Sequence, residues 1–253
     1  GFVKKLADLK AEIIGQEAAQ RATELLGATM IPSQNIPLVF DPFTGADLLE
    51  VLANLLSAEA AQKGRSLFAG KLGEAVAAAG VTIIDDGRMA NGLASAPFDD
   101  EGTPTQETIL IDSGNLSSYL FNAYTARKGK TRATGNASRG SFKSPPGISP
   151  TNLYFKPGVQ SPTSIVKGIN RGLYVTRLMG LHTANLISGD FSLGAAGIMI
   201  ENGQKTYPVR GITIAGNLVD LLRSIEVVGS DLRFVSNIGS PTLLIGNLTV
   251  SGS

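Results

Sequence analysis

The chain has 253 residues, of which 43% are hydrophobic and 17% charged, so it is long enough to bury a substantial core. Its 22 basic and 21 acidic residues give a net charge of +1, which offers no electrostatic reason to expect nucleic acid as a partner. The absence of cysteine excludes disulfides, thiolate metal ligands and a cysteine nucleophile.

The start of the chain carries no sign of export or membrane insertion. Its first twenty residues, GFVKKLADLKAEIIGQEAAQ, are amphipathic and charged, unlike a secretory signal. No apolar run in the sequence approaches the roughly 18 residues that a membrane helix needs. We therefore predict a cytoplasmic protein that does not contact a membrane.

The N-terminal half alternates helical and strand-like patterns. The segment IIGQEAAQRATELLG (13–27) predicts a helix ending at Gly27, and a linker then leads to the strand IPLVF. Residues 45–64, GADLLEVLANLLSAEAAQKG, predict one long amphipathic helix, and the Gly- and Ala-rich residues 65–80 predict further helix. The strand VTIIDD follows, and then ETILID with a turn at residues 112–115.

The 45–64 helix has two faces. Apolar residues recur on one side at spacings of three and four, namely Leu48, Val51, Leu52 and Leu55. Polar residues recur at the same spacing on another side, namely Asp47, Glu50, Asn54 and Ser57. The helix taken alone favours a solvated face for Glu50.

The last hundred residues are predicted to be mostly β-structure. They contain strand-like runs around TNLYFKP, GLYVTRL, AAGIMIENGQKTYPVRGITIAGN and PTLLIGNLTVSG. The Asn-Gly pair in IENGQK is typical of a tight type I′ hairpin, and NLVDLLRSI (217–225) predicts a short helix capped by Asn217. The whole pattern predicts an α+β fold, with a largely antiparallel β-sheet core and flanking helices.

An acidic cluster is one candidate site. Asp99, Asp100 and Glu101 in FDDEGTP could bind Mg²⁺ or Ca²⁺ through oxygen ligands, or share acid–base work. Consecutive residues seldom converge on one point, however, and acidic residues before glycine commonly form turns, which favours a structural role.

A basic segment is the second candidate. Arg127, Lys128 and Arg132 belong to the run ARKGKTRATGNASRGSFK, which could bind a phosphate, a carboxylate or an acidic partner. A solvated loop explains the same residues equally well, and we predict a long mobile or functional loop over residues 127–149. The single histidine, His182, has no G-x-S-x-G partner motif and is predicted to be structural or exposed.

Several stretches, in this order, resemble the C-terminal domain of the TldD/PmbA family, the so-called modulators of DNA gyrase: FDDEGTP, ARKGKTRATGN, ISGDFSLGAAGIMIENGQKTYPVRGITIAGN, VVGSDLRF and PTLLIGNLTVSG. The pattern RGLYVTRLMG is similar to the PmbA (TldE) branch. The resemblance implies that residues 1–34 end a preceding central region, with a helix and linker, and that 35–253 form the C-terminal domain. Family members usually carry a further N-terminal domain, so the resemblance implies either a truncated chain or an unusually short member of the family.

The resemblance also implies a degenerate metal site. In the TldD branch the helix matching residues 45–64 carries H-E-x-x-x-H, with two zinc-binding histidines and a general-base glutamate, and a later cysteine is the third ligand. Alignment on AAQKGRSLFAG places Leu49 and Asn54 at the histidines and Glu50 at the glutamate. The stretch RFVSNIGSPTLLIGN passes through the cysteine region without a cysteine. No metal, no cofactor and no catalytic residue are therefore expected in this chain.

The function implied by the resemblance is that of a non-catalytic TldE/PmbA-type subunit. It would pair with a TldD-type catalytic subunit, or with itself, in a cytoplasmic zinc metallopeptidase complex that cleaves or matures peptides. Two alternatives stay open. One is an independent peptide-binding or scaffold protein, and the other is a hydrolase using a hard metal on Asp99, Asp100 and Glu101.

Overall fold

The computed structural model describes residue 4 and residues 9–252. Most of the first eight residues of the predicted 1–34 region, and residue 253, lie outside the described residues. The strands within the described chain are β1 (Gln34–Phe40), β2 (Ile83–Asp86), β3 (Glu107–Asp112), β4 (Asn115–Leu116), β5 (Ala137–Ser138), β6 (Gly147–Ile148), β7 (Leu153–Phe155), β8 (Arg171–Met179), β9 (Asp190–Glu201), β10 (Gln204–Asn217), β11 (Ile225–Val228), β12 (Arg233–Phe234), β13 (Ile238–Ser240) and β14 (Leu243–Ser251). The helices are α1 (Ala11–Thr23), α2 (Pro42–Leu55), α3 (Ala58–Gln62), α4 (Ala123–Lys128), α5 (Pro162–Lys167) and α6 (Leu218–Arg223).

The strands form two large sheets and a small hairpin. The first sheet has the order β1-β8-β9-β10-β14-β11, and β14 also pairs with β1, which closes the first five strands into a ring. The second sheet has the order β12-β13-β7-β2-β3-β4, and within the described residues β5 pairs only with β6. All pairings between these strands are antiparallel except β1 with β8 and β13 with β7. The α+β class and the largely antiparallel core are confirmed.

The helix α2 joins the two sheets. It packs against β13 and β7 of the second sheet and against β8 of the first. Its buried leucines belong to one continuous core with Phe40, Phe155 and Val175. The position of α2 is therefore set by burial on several sides.

The helix predicted over 45–64 is wrong in one respect, because the structure divides it. The helix α2 ends at Leu55, and α3 begins after Ser57, whose backbone is extended at φ −77° and ψ 129°. Backbone groups of Leu56 and Ala58 bond to the N–H and carbonyl of Leu120, with N···O distances of 2.9 Å. This pairing replaces the helical hydrogen bonds that would have continued α2.

The helix predicted within residues 65–80 is also wrong, since these residues form turns. Gly70 and Gly73 have φ values of +76° and +84°, which a helix does not allow. The N–H groups of Gly73 and Val76 donate to the carbonyls of Leu116 and Gly114. The alanine-rich composition was therefore overridden by backbone pairing with the β3–β4 hairpin.

Other local predictions are confirmed. The β9–β10 hairpin turns at Asn202 and Gly203, which have φ values of +50° and +75°, as a type I′ turn requires. The side chain of Asn217 caps α6 by accepting a hydrogen bond from the Val219 N–H at 3.0 Å. Residues 127–149, predicted to be one long mobile or functional loop, contain the end of α4 and the short β5–β6 hairpin, and their mobility and function stay predictions.

Candidate functional site

The helix α2 carries the degenerate motif and is stabilised by an N-terminal cap and by burial. Pro42 is its first residue, and the Asp41 carboxylate accepts a hydrogen bond from the Thr44 N–H at 2.8 Å, which caps the helix. Eight of its 14 residues are buried. Of the predicted apolar stripe, Leu48, Leu52 and Leu55 are buried and Val51 is half-buried, and Leu49 joins them in the core.

The three motif positions do not share one face of the helix. Leu49 is 0% exposed, whereas Glu50 and Asn54 are exposed, as the predicted polar face requires. The side-chain amide of Asn54 donates to the Glu50 carbonyl oxygen at 3.3 Å. Positions 49 and 54 are five residues apart, so a regular helix directs them about 140° apart. The helix thus sends Leu49 into the core and the other two residues outward.

Glu50 and Asn54 line a cleft of about 550 Å³. Its walls come from distant parts of the chain, because residues 148–150 and 236–238 line it together with residues of α2 and α3. Residues 236–238 belong to the stretch in which the resemblance placed a cysteine ligand. The structure therefore brings together the two sequence regions that the family motif predicts should meet.

A hydrogen-bond network supports the part of the cleft wall formed by residues 148–150 and 236–238. The Asn237 side-chain amide donates to the Thr151 carbonyl oxygen at 2.7 Å. The buried carboxylate of Asp85 accepts bonds from the Thr151 N–H and hydroxyl at 2.7 and 2.8 Å, and from the Asn136 amide at 2.7 Å. Burial raises the pKa of Asp85 above its usual range, and these hydrogen bonds oppose that shift. Asp85 thus braces the segment beside Ser149 and Pro150.

The residues of this wall and of the network that supports it were not singled out from the sequence. The only signal for Asp85 was a carboxylate directly after two isoleucines in a predicted buried strand. Nothing in the local sequence links Ser236 and Asn237 to Glu50, because about 180 residues separate them and only the sheet topology joins them.

The residues at the motif do not fit a zinc ion. Zinc sites in proteins use histidine nitrogen, cysteine sulfur and carboxylate oxygen, usually with three protein ligands in a catalytic site. Leu49 is apolar and buried, Asn54 offers an amide, and the chain has no cysteine. His182 is exposed in a single 3₁₀ turn, Leu181–Thr183. Among residues 4 and 9–252, no three histidine, cysteine or acidic side chains are grouped to hold a metal ion.

The acidic cluster binds backbone groups. Asp99, which is 8% exposed, accepts hydrogen bonds from the N–H groups of Glu101, Thr103 and Ala137, each at 2.9 Å. The other two carboxylates accept bonds at 2.7 and 2.8 Å, with Asp100 bonded to the Arg139 N–H and Glu101 to the Ala123 N–H. The cluster joins its own turn to β5 and to the start of α4, which supports the structural interpretation.

The basic candidates lie elsewhere on the surface. Arg127 and Lys128 are exposed in the last turn of α4, where positive charge is favourable to the helix dipole. Arg132 follows as an exposed loop residue. None of the three lines the cleft at Glu50. The structure does not bring the basic and degenerate-motif residues into one site.

Comparison with known proteins gives this geometry its context. Residues 33–252 match the family model described as the PmbA/TldA metallopeptidase C-terminal domain. The chain is 32% identical over 250 residues to metalloprotease PmbA of Escherichia coli O157:H7, covering 98% of this chain and 53% of that protein. It is 29% identical to a metalloprotease TldD homolog of Buchnera aphidicola, covering 97% of this chain and 54% of that protein.

Solved structures show the same architecture. A Thermotoga maritima protein named for modulation of a DNA gyrase superposes with a TM-score of 0.92 at 40% identity, covering 98% of this chain and 57% of that one. TldE from Thermococcus kodakarensis superposes with a TM-score of 0.88 at 28% identity, covering 97% and 56% respectively. The chain spans about half the length of the relatives that it matches.

The structure and the family match also bear on the predicted absence of a membrane helix and on the predicted domain boundary. Among residues 4 and 9–252, every helix is too short or too polar to cross a bilayer. The predicted boundary at residue 34 stays a prediction, although the family match begins at residue 33. The match over residues 33–252, together with the 32% identity over nearly the whole chain, shows that this chain belongs to the PmbA/TldD metallopeptidase family and carries its C-terminal domain.

Proposed function

We propose that the chain acts as a non-catalytic TldE/PmbA-type subunit of a cytoplasmic zinc metallopeptidase complex. The observation that carries this proposal is the cleft at the motif, which keeps Glu50 and Asn54 on its wall but has Leu49 buried in the core. Zinc and the hydrolytic chemistry would then belong to a TldD-type partner. The complex would act on unfolded or small peptides, including peptides undergoing maturation.

Glu50 alone has no hydrolytic chemistry to perform. A glutamate beside a zinc site works as a general base on a metal-bound water, whose pKa the metal lowers. Here the neighbouring positions supply leucine and an amide, and no cysteine exists to complete a ligand set. The carboxylate of Glu50 is exposed and keeps only its charge and its hydrogen-bonding capacity.

The cleft itself is suited to contact with a peptide. Its volume of about 550 Å³ lies in the range of ligand sites, and its lining combines apolar and polar groups. Leu186 and Ile238 contribute apolar surface, while Lys63 and Glu59 form an ion pair at the rim. A subunit with such a cleft can hold a substrate segment without cleaving it.

Reconstitution with a TldD-type protein from the same cell tests the proposal. The two chains are expected to co-elute, and light scattering should give the mass of an assembly that contains both. A stable assembly of this kind buries roughly 1,200–2,000 Å² in its interface. Chelator-sensitive cleavage of an unstructured peptide should require the H-E-x-x-x-H subunit and survive Glu50→Gln in this chain. The matching Glu→Gln change in the partner should abolish it.

Two results would contradict the subunit proposal. One is a monomer that stays separate from the TldD-type protein at micromolar concentration, which would leave an independent peptide-binding or scaffold protein. The other is metal-dependent hydrolysis by the isolated chain, lost on Asp100→Asn. That second result would revive the hard-metal alternative, against which the backbone hydrogen bonds of the acidic cluster argue.

A further inference from the structure

A second groove lies between α1 and the first sheet. The helix α1 and the residues after it form one wall, and β8, β9 and β10 form the floor. The groove has a volume of about 730 Å³ and shares no lining residue with the cleft at Glu50. It therefore offers a separate binding surface.

The floor of this groove is shaped by two β-bulges. On β8, Val175 and Arg177 pair with consecutive residues of β9, which leaves Thr176 as an extra residue. On β10, Val209 pairs with Gly197 and Ile212 with Ala195, so Arg210 and Gly211 together stand opposite Ala196. Gly211 has a φ of +68°, which suits its place in the bulge. Bulges re-aim side chains and are frequent beside functional sites.

The bulges place two arginines on either side of a small residue. Arg177 is directly paired with Ala196, and Arg210 lies across from the same alanine on the other neighbouring strand. Adjacent strands are about 4.8 Å apart, so the two backbones are separated by about 10 Å. Ala196, which lies between them in the sheet, has only a methyl side chain and is 4% exposed.

The groove is positively charged without compensation. Both Arg177 and Arg210 are exposed, and within the described residues neither guanidinium has a hydrogen-bond or ion-pair partner. Arg21, on the helical wall, is by contrast bonded to the Asp41 carboxylate at 2.6 Å and to the Thr176 carbonyl at 2.8 Å. Among residues 4 and 9–252, no acidic side chain lines the groove. Two guanidinium groups are thus available for an anion.

Apart from Arg21, the helical wall of the groove is apolar. Leu25 and Leu26 follow the C-terminal end of α1, and Met179 lies on β8; all three line the groove. Leu26 is 72% exposed and Met179 is 46% exposed, so both have apolar surface that a ligand could cover. The groove therefore combines an anion-binding floor with an apolar wall.

We propose that this groove binds an apolar chain that ends in a carboxylate. Arg177 and Arg210 would hold the carboxylate, since guanidinium groups form charge-assisted and often bidentate hydrogen bonds with it. Leu25, Leu26 and Met179 would cover the apolar body. Two sources share this chemistry, a peptide C-terminus with an apolar last residue and a fatty acid. The proposal is independent of the peptidase subunit role, because it uses different residues.

Calorimetric titration tests the proposal on the chain as it exists. The probes are decanoate and the peptide N-acetyl-Ala-Ala-Leu, the latter as free acid and as C-terminal amide. At least one carboxylate probe should bind saturably, and the amide should bind at least about tenfold more weakly than the acid. Arg177→Gln and Arg210→Gln should each weaken carboxylate binding by about tenfold, and binding should fall as salt concentration rises.

The controls separate binding from folding. Arg88→Gln changes an exposed arginine outside the groove and should leave the affinity unchanged. Both groove variants should unfold at the temperature of the unmodified chain, because neither guanidinium has a partner in the part of the chain that the structure describes. Binding of decanoate alone would assign a fatty acid, and binding of the peptide acid alone would assign a peptide terminus. No saturable binding up to about 1 mM, equal binding of acid and amide, or unchanged affinity in both arginine variants would overturn the proposal.

Discussion

The helices α1 and α2 have nearly the same length, 13 and 14 residues, and opposite relations to the rest of the molecule. Eight residues of α2 are buried, whereas no residue of α1 is. The Asp41 side chain caps α2, but α1 follows Lys10 without a side-chain cap. The difference shows that helical periodicity does not by itself reveal what a helix contributes to stability.

The attachment of α1 is polar and rests on the start of α2. Arg21 of α1 pairs with the capping residue Asp41 and stacks over the Phe43 ring at 4.0 Å. Arg233 stacks over the same ring at 4.6 Å and forms an ion pair with Glu17 of α1. One aromatic ring thus contacts two arginines that hold α1 in place. Such exposed or half-exposed contacts contribute far less than burial of leucines.

The largest expected effect is the loss of a core side chain from α2. Leu49→Ala should lower the free energy of unfolding by about 2–5 kcal/mol, because Leu49 is 0% exposed and its removal leaves a cavity. Urea denaturation measures the change. Ile13→Ala in α1 is the matched control, since Ile13 is 55% exposed, and it should shift stability by less than about 0.5 kcal/mol.

Equal costs for these two substitutions would break the comparison. They would show that α1 contributes apolar burial in solution that the present packing does not reveal. A small cost for Leu49→Ala alone would instead show that neighbouring leucines collapse into the cavity and recover most of the lost packing.

The second expected effect concerns restoration of the family motif in α2. Leu49→His with Asn54→His should destabilise the chain by about 1–3 kcal/mol, because an imidazole replaces a buried leucine. No chelator-sensitive cleavage of an unstructured peptide should appear. The regular helix directs the two positions about 140° apart, and no cysteine supplies a further ligand.

Asn54→His alone is the matched control, because it changes only an exposed position. It should leave stability within about 0.5 kcal/mol of the unmodified chain. Zinc-dependent turnover by the double variant would show that α2 can distort around a metal and that another side chain completes the site. The assignment of all metal chemistry to a partner subunit would then be lost.

Whether an element of the fold could be predicted from the sequence depends on how far along the chain its hydrogen-bond partners lie. The β9–β10 hairpin and the Asn217 cap depend on residues adjacent in sequence, so local pattern was sufficient. The break after α2 depends on pairing with Leu120, more than 60 residues away. No local propensity carries that information, and the turns at Gly70 and Gly73 were missed for the same reason.

In the candidate site, too, the features that depend on neighbouring residues were predicted from the sequence, and those that depend on distant residues were not. The face of Glu50 and Asn54 follows from helical periodicity, and the structure confirms that both are exposed. Their proximity to Asn237 was suggested by the family resemblance and not by spacing in this sequence. The support of Thr151 by Asp85 depends on strand order in the second sheet, which the sequence did not predict.

The smallest expected effect is electrostatic and gives the two helices opposite responses to pH. The hydrogen bond and charge of Arg233 hold the pKa of Glu17 in α1 below its ordinary value of 4.5. Burial, and then the charge of Glu50, raise the pKa of Asp47 in α2 above its ordinary value of 3.8. Ionisation of Glu17 therefore stabilises the fold, whereas ionisation of Asp47 opposes it.

The pH windows follow from these directions. The contribution of Glu17 is fully present above about pH 4.5 and is lost as pH falls through its lowered pKa. The cost of ionised Asp47 is present at neutral pH and is relieved as pH falls through its raised pKa towards 3.8. Glu17→Gln should thus destabilise at neutral pH, and Asp47→Asn should stabilise.

Urea denaturation of both variants at about pH 7 and about pH 3 checks these signs, with each change below about 1 kcal/mol because the groups are partly solvated. Both differences from the unmodified chain should shrink at the lower pH, because protonation progressively removes the charge on which each contribution depends. The Glu17 effect should also shrink at high salt, because the ion pair with Arg233 is partly exposed. A Glu17→Gln cost that persists unchanged at low pH and high salt would mean that α1 is held by packing. The contrast between α2, which is held by apolar burial, and α1, which is held by ion pairs, would then be wrong.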